Sequence, residues 1–311
     1  MMLPTARVIE FWRKTSDSDI YWSFTRSRLV MLSALITLIF FIGAFGAPYL
    51  APHNPFDLAS LELSDAFKPP AWEEGGDTKY LLGTDDQGRD LLSSIMYGSR
   101  ISLVVGFLAV LFAMTIGITL GLVAGYLGGA VDSFIMRVAD VQLSFPAILI
   151  ALLVDGVSRG LLGQARHSDF AEAVLVVAIG LSYWVQYART VRGSVLVEKS
   201  KEYVQAARVI GLPGPLIAIR HVLPNVLGPV LVIATINLAL AIITEATLSF
   251  LGVGLPPTEP SLGTLIRIGN DFLFSGEWWI TIFPGAVLAI LVLAVNLLGD
   301  WLRDALNPKL R

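Results

Sequence analysis

The amino-acid sequence predicts an all-α, polytopic membrane protein with about six transmembrane helices. Hydrophobic residues make up 55% of the chain and charged residues only 15%, and the mean hydropathy is +0.70. Soluble domains contain more charge and less apolar surface. Several apolar runs also approach the roughly 20 residues that a helix needs to cross the hydrocarbon layer of a bilayer. A lipid bilayer is therefore the expected environment of this chain.

The apolar runs differ in how clearly each defines a span. Five of the six carry no charged residue, and the sixth is interrupted only by Glu245. The run at 141–154 reaches the length of a span only with flanking residues near Arg137 and Asp140. The six expected spans are residues 29–47, 101–125, 141–154, 173–188, 226–250 and 280–299.

The distribution of positive charge predicts the side of the membrane on which each connection lies. Fifteen of the 22 Lys and Arg residues lie in the two terminal segments and in alternate connections. Short segments rich in Lys and Arg stay in the cytoplasm, so both termini are expected there. The expected organisation is a cytoplasmic segment (1–28), a first transmembrane helix (29–47), an extracytoplasmic loop (48–100), a core of five transmembrane helices (101–302) with a cytoplasmic loop (189–225), and a cytoplasmic tail (303–311).

The end of the extracytoplasmic loop carries apolar residues at helical spacing, namely Leu91, Leu92 and Ile95. This pattern predicts a short amphipathic helix that lies on the membrane surface and leads into the second span. An equally good interpretation is an ordinary helix start with Thr84 or Asp85 as its N-cap.

The second span contains three glycines, Gly117, Gly121 and Gly125, spaced four residues apart. This spacing places them on one face of a helix. Helices in lipid associate through small residues that let two backbones approach closely. The stripe therefore predicts tight packing of the second span against another helix.

The cytoplasmic loop between the fourth and fifth spans has a pattern of its own. Residues 199–210 predict a helix, residues 211–214 interrupt it with two glycines and a proline, and residues 216–221 predict a second short helix. A helix-turn-helix of this size can protrude from the membrane. We therefore expect a surface that is available for docking a partner.

This loop resembles the coupling motif of permease subunits of bacterial ABC importers, which reads Glu-Ala-Ala, three residues, Gly, nine residues, Ile, any residue, Leu-Pro. Gln205, Ala206 and Ala207 precede Gly211 at the spacing of the motif, and Gln205 stands where the motif has Glu. The motif ends here with His221, Leu223 and Pro224, and His221 stands where the motif has Ile.

The resemblance extends over nearly the whole chain from residue 29 onward and favours the C-type subunit of the dipeptide, oligopeptide and nickel branch. Further segments that carry it are residues 82–90, 97–102, 125–140 and 245–252. The resemblance implies the type I ABC importer permease fold and a place in the bacterial inner membrane. It also implies a second permease subunit that completes a heterodimer, two ATP-binding subunits that hold ATP and Mg²⁺, and an extracytoplasmic substrate-binding protein.

The resemblance also assigns the residues of the loop to docking of the ATPase subunits. Ala206 and Ala207 would be small so that the partner can approach, Gly211 would permit the turn, and Pro224 would end the element. Charged side chains would serve as polar anchors. The residues assigned in this way are Glu202, Tyr203, Gln205, Ala206, Ala207, Arg208, Gly211, Arg220, His221, Leu223 and Pro224.

Other motifs of catalytic or metal-binding proteins are missing from the sequence. No G-x-x-x-x-G-K-[ST] loop occurs, so this chain is not expected to bind ATP or to be an enzyme. There is no cysteine and no cluster of Met and His, so no metal site is predicted. No resident cofactor and no nucleic-acid partner are expected either. Peptides are the expected cargo, and nickel or another small solute is the alternative.

Glu245 lies inside the fifth expected span, about five residues from its outer end. An ionisable side chain within a bilayer is costly, which makes Glu245 a candidate for a gate or for the pathway. A proton-coupled secondary transporter that uses this carboxyl group is the alternative function. The three histidines, His53, His167 and His221, all lie in predicted loops and do not form a proton relay with it.

Overall fold

A computed structural model describes residues 19–57, 61, 63–163, 170–256 and 261–306 of the chain. The other residues, among them residues 1–18 of the predicted N-terminal segment and residues 307–311 of the predicted tail, lie outside this description. The helices are α1 (Asp19–Arg26), α2 (Arg28–Phe45), α3 (Ala47–Leu50), α4 (Leu91–Leu127), α5 (Gly129–Leu143), α6 (Ala147–Leu162), α7 (Ala171–Glu198), α8 (Glu202–Val209), α9 (Gly214–Ile217), α10 (Leu223–Phe250), α11 (Leu262–Phe272) and α12 (Trp279–Leu306).

Within the described residues, five long helical segments are apolar enough to cross a membrane: α2, α4, α7, α12 and the continuous segment formed by α9 and α10. A sixth span arises if the bent pair α5 and α6 is counted as one. The predicted all-α architecture with about six spans is thus confirmed. The large side chains of α2 that face away from the bundle, including Leu32, Leu35 and Ile39, are more than half exposed, as expected of residues in contact with lipid.

The stretch predicted as one span at 141–154 is not a single straight helix, because it contains a sharp bend and forms a span only as part of the bent pair α5 and α6. Helix α5 ends at Leu143, α6 begins at Ala147, and the two helices meet at an angle of 96°. Pro146 lies at the break. Proline lacks a backbone N–H and disfavours the helical conformation of the residue before it, which favours a break at this position.

The predicted surface helix before the second span is also wrong. Helix α4 begins at Leu91 and runs without a break to Leu127, and its N-cap is Asp90, whose carboxylate accepts a hydrogen bond of 2.9 Å from the Ser93 N–H. Neither Thr84 nor Asp85 is the N-cap. Leu91 is fully buried because the outer segment, α11 and α12 cover the first turns of α4.

The outer segment before α4 is a folded unit rather than a loose loop. A buried ion pair of 2.6 Å joins the Arg89 Nε to the Asp85 carboxylate. The indole N–H of Trp279 in α12 donates a hydrogen bond of 3.0 Å to the Thr84 carbonyl oxygen. At the other end of the segment, Lys68 contacts Asp65 at 2.7 Å. These contacts fix the segment over the N-terminal ends of α4 and α12.

The glycine stripe of α4 lies against α7. A Cβ atom on Gly117 would be 2.4 Å from the Cβ of Tyr187, and one on Gly121 would be 2.4 Å from the carbonyl oxygen of Ala188. A Cβ atom on Gly125 would be 2.8 Å from the Cβ of Val195. The backbones of α4 and α7 are therefore in direct contact, which is the geometry that small residues permit between helices in lipid.

Candidate functional site: a docking loop and a buried carboxyl group

The connection between α7 and α10 folds around an apolar core of its own. Val204 and Ala207 lie one turn apart on α8 and are buried, and they pack with Ile217 and Val222 of the following segment. The same cluster continues to Val195 of α7. Because of this core, the loop and the two transmembrane helices that flank it form one packed unit. We call residues 199–225 the docking loop.

The turn of the docking loop is a Schellman motif at the end of α8. Gly211 has a φ of +87°, and its N–H donates a hydrogen bond of 2.9 Å to the Arg208 carbonyl oxygen. The Leu212 N–H donates one of 3.2 Å to the Ala207 carbonyl oxygen. Apart from Gly211 and its two chain neighbours, no described residue has an atom within 4 Å of a Cβ atom placed on Gly211. Glycine is favoured here because of its backbone conformation, and space does not limit the position.

A cluster of polar side chains connects α7, α8 and α10. The Tyr203 hydroxyl donates a hydrogen bond of 2.5 Å to a carboxylate oxygen of Glu198, which also forms an ion pair of 2.8 Å with Lys201. The Asn225 amide donates hydrogen bonds of 3.1 Å to the Tyr203 hydroxyl and of 2.7 Å to the His221 carbonyl oxygen. Burial, followed by the hydrogen bond to Glu198, raises the pKa of Tyr203, so its hydroxyl keeps the proton that it donates.

Sequence reasoning missed Glu198 and Asn225, which lie just outside the motif. The sequence gives little indication of a role for these two residues, because a polar residue at the end of an apolar helix is ordinarily solvated. Only the fold brings both side chains to Tyr203, where they complete the polar cluster.

The predicted role of Pro224 is wrong. A five-residue π-helical turn, Ala218–Val222, leads from α9 into α10, and Pro224 is the second residue of α10. Proline is tolerated in the first turn of a helix, and the wider π turn before it accommodates the missing N–H. The docking loop thus enters the transmembrane helix without an interruption, and Leu223 beside Pro224 is half-buried against the loop core.

The predicted role of Ala207 needs a similar correction. Ala207 is buried in the loop core and is not accessible to a partner, whereas Ala206 is exposed. The two positions differ because consecutive residues of a helix point about 100° apart. The small side chain at position 207 therefore allows α8 to pack closely against its own loop.

The outer surface of the docking loop combines apolar and charged side chains. Val209 is 88% exposed, Ile210 77% and Ile219 61%. Sequence reasoning missed these three residues, which lie at the end of α8 and in the turn that follows α9. Most of the motif-assigned residues are exposed as well, among them Glu202, Gln205, Ala206, Arg208 and Arg220. An exposed apolar patch with a polar rim is typical of a surface that binds another protein.

Two cations of the docking loop contact the end of α4. The Lys199 ammonium donates a hydrogen bond of 2.7 Å to the Gly125 carbonyl oxygen, and the Arg208 guanidinium lies 5.8 Å from the centre of the Tyr126 ring. Positive charge near the C-terminus of a helix is favourable because the last carbonyl groups carry partial negative charge. The docking loop is therefore attached to three long helices.

Glu245 lies in α10 and is fully buried. The Ser249 hydroxyl donates a hydrogen bond of 2.8 Å to one oxygen of its carboxyl group. The hydroxyls of Ser102 in α4 and of Ser261, the N-cap of α11, also face this carboxyl group. Among the described residues no ionisable side chain forms an ion pair with it. The carboxyl group thus lies among serine hydroxyls that come from three helices.

The part of the chain that the structure describes contains no group of three or more His, Asp or Glu side chains that could hold a metal ion. Together, the membrane-spanning helical bundle and the folded loop between α7 and α10 are typical of one class of protein, the membrane transport permease. The chain belongs to the family of binding-protein-dependent transport system inner membrane components, which residues 117–311 match. Residues 18–70 match the N-terminal transmembrane domain of oligopeptide transport permease C.

Relatives similar to this chain over nearly its whole length support the same family. The dipeptide transport system permease protein DppC of Haemophilus influenzae is 39% identical over 303 residues, which cover 97% of this chain and 98% of the relative. DppC of Escherichia coli is 40% identical over 310 residues, which cover 99% of this chain and 95% of the relative. The predicted resemblance is thus confirmed, and the chain is a multi-pass permease of the inner membrane.

The fold is shared with a solved transporter. A structure of the inward-facing MetNI methionine ABC transporter contains a chain that matches with a TM-score of 0.53 and 18% identity, over 69% of this chain and 96% of that chain. At this level of identity the likeness concerns the fold, and it confirms the predicted ABC importer permease architecture.

Proposed function

We propose that this chain forms half of the translocation pathway of an ATP-driven importer of di- or oligopeptides. The observation that carries the proposal is the docking loop, whose apolar core joins it rigidly to α7 and α10 while an apolar patch remains exposed. The names of the two DppC relatives, which match nearly the full length of this chain, support dipeptides as the cargo.

The proposed assembly contains a second, different permease subunit, two ATP-binding subunits and an extracytoplasmic substrate-binding protein. ATP and Mg²⁺ are held by the ATP-binding subunits, because this chain lacks a phosphate-binding loop. Both termini and the docking loop face the cytoplasm, and the folded segment before α4 faces the outside. The excess of Lys and Arg in the terminal segments and the docking loop supports this orientation.

Coupling follows from the continuity of the docking loop with the membrane helices. A partner that holds the patch formed by Val209, Ile210 and Ile219 can displace α8 only together with α7 and α10, since they share one core. The charged rim provides polar anchors for the partner. Movement of the ATP-binding subunits is thereby converted into movement of the helices that line the pathway.

At the outer end of the bundle, Glu245 acts as a hydrogen-bonding strut near the outer gate. Its carboxyl group accepts a hydrogen bond from Ser249 of the same helix, and the hydroxyls of Ser102 in α4 and of Ser261 at the start of α11 lie beside it. A Cβ atom on Gly263 of α11 would be only 2.2 Å from the Ala246 carbonyl oxygen, which shows how closely α11 approaches α10 at this level. A shift of α10 therefore displaces α11.

Reconstitution of all components in proteoliposomes tests the proposal. Uptake of radiolabelled dialanine should require ATP, the ATP-binding subunits and the binding protein, and nickel should not compete. This chain purified without partners should release no phosphate from ATP. Phosphate release by the isolated chain, or nickel uptake without peptide uptake, would contradict the proposed function.

A further inference from the structure

We propose that a pocket at the outer ends of α4 and α7 is a subsite for the two charged termini of a zwitterionic peptide. The inference rests on the proposed function and specifies where the permease itself contacts its cargo. The pocket has a volume of about 430 Å³. Its lining, among the described residues, consists of Phe56, Tyr97, Arg100, Ile101, Val104 and Glu172.

The pocket brings opposite charges together without pairing them. Arg100 lies near the beginning of α4 and Glu172 near the beginning of α7, and both are exposed. Neither side chain forms an ion pair or a hydrogen bond with another described residue. By contrast, the guanidinium groups of Arg159 and Arg192 bind aspartates at 2.7 and 2.6 Å. Arg100 and Glu172 are therefore available to a ligand.

The other walls of the pocket are apolar. The rings of Phe56 and Tyr97 meet edge to face with their centres 5.1 Å apart, and Ile101 and Val104 continue the apolar surface along α4. Ile101 and Val104 are three residues apart, which places them on one face of the helix. Such walls can accept side chains of many shapes, because they offer contact area with few directional hydrogen bonds.

The chemistry of a short peptide matches this arrangement. Its α-carboxylate suits the guanidinium of Arg100, which can donate two parallel hydrogen bonds, and its α-ammonium suits the carboxylate of Glu172. The volume of the pocket lies within the range of about 300–1,000 Å³ typical of small-molecule sites. A site that reads both termini and offers apolar walls to the side chains accepts peptides of different sequence and excludes peptides whose ends are blocked.

Photo-crosslinking tests the subsite directly. The probe is an alanine dipeptide that carries a diazirine in its second side chain. The sample is the membrane complex, that is both permease subunits and both ATP-binding subunits, in nanodiscs. The binding protein is left out so that only the membrane complex selects the probe. We expect ultraviolet light to attach the probe to Tyr97 or Val104, as mapped by mass spectrometry, and excess dialanine to prevent this. The same probe with an acetylated N-terminus and an amidated C-terminus should label these positions about tenfold less, because it lacks both charges.

Variants locate the source of the selectivity. Arg100→Gln and Glu172→Gln should each reduce labelling by the free dipeptide about tenfold, whereas Arg100→Lys, which keeps the charge, should reduce it less. Glu74→Gln is the matched control, because Glu74 is an exposed carboxylate of the outer segment outside the pocket lining, and its labelling should equal that of the wild type.

Two results would overturn the subsite: equal labelling of the pocket by the free and the blocked probe, or labelling at other positions only. Both are measured on the wild-type complex and do not depend on the assembly of a variant. Peptide uptake by the same wild-type complex with its binding protein separates the two proposals. If uptake occurs without labelling of the pocket, the subsite is refuted and the proposed function stands; if the complex imports no peptide at all, the proposed function is refuted.

Discussion

The turn at Gly211 provides the sharpest test of the docking loop. Its φ of +87° lies in the left-handed region, where an L-residue other than glycine costs about 1–2 kcal/mol. No atom within 4 Å would clash with a new Cβ, so backbone strain is the whole of the local cost. Gly211→Ala should therefore lower the population of the closed turn about 5- to 30-fold relative to the open turn.

Hydrogen exchange measures this population. The Gly211 and Leu212 amides close the Schellman motif, so both should exchange faster in Gly211→Ala by about the same 5- to 30-fold. Gly211→Asn should be milder, because Asn tolerates the left-handed region better than Ala. If the ATP-binding subunits recognise the closed loop, Gly211→Leu should insert into the membrane, yet bind them weakly and transport little.

Gly193→Ala is the matched control for these variants. Gly193 lies in α7, its Cβ would meet nothing within 4 Å, and its φ is not in the left-handed region. Alanine is a better helix former than glycine, so this variant should exchange and transport like the wild type. Wild-type exchange at residues 211 and 212 together with wild-type transport in Gly211→Leu would refute the role assigned to this turn.

Three further predictions concern the membrane bundle and the outer segment. Gly121→Leu should prevent the packing of α4 against α7, because its Cβ would lie 2.4 Å from a backbone carbonyl oxygen. This variant should lose the monodisperse peak in size-exclusion chromatography. Gly43→Leu is the control and should keep that peak, because nothing lies within 4 Å of its Cβ. Glu245→Gln should retain ATP-dependent uptake that a protonophore does not inhibit, since the amide keeps the acceptor for the Ser249 hydroxyl; loss of wild-type uptake on adding a protonophore at constant ATP would instead favour proton coupling. The hydrogen bond from Lys68 lowers the pKa of Asp65 below 3.8, so the stabilisation by this pair is present above that pH and is lost as the pH falls through the folded-state pKa. Limited proteolysis of the outer segment should accelerate in that acidic range, and Asp65→Asn should already show the faster rate at neutral pH.

The sequence alone determined the class of the protein, the approximate number of spans and the position of the docking loop. Apolar length and helix-breaking residues act locally, so they can be recognised without knowledge of the fold. The role of Gly211 in the turn could also be predicted from the sequence, because a residue in the left-handed conformation is most often glycine whatever surrounds it.

The tertiary structure decided how each of these elements is used. Only packing separates Ala206, which is exposed, from Ala207, which is buried. The first turns of α4 are buried because the segment before α4, α11 and α12 cover them. Arg100 and Glu172 are far apart in the sequence and share a pocket because α4 and α7 pack side by side. Contacts of this kind depend on the relative placement of whole helices, which a local sequence pattern does not encode.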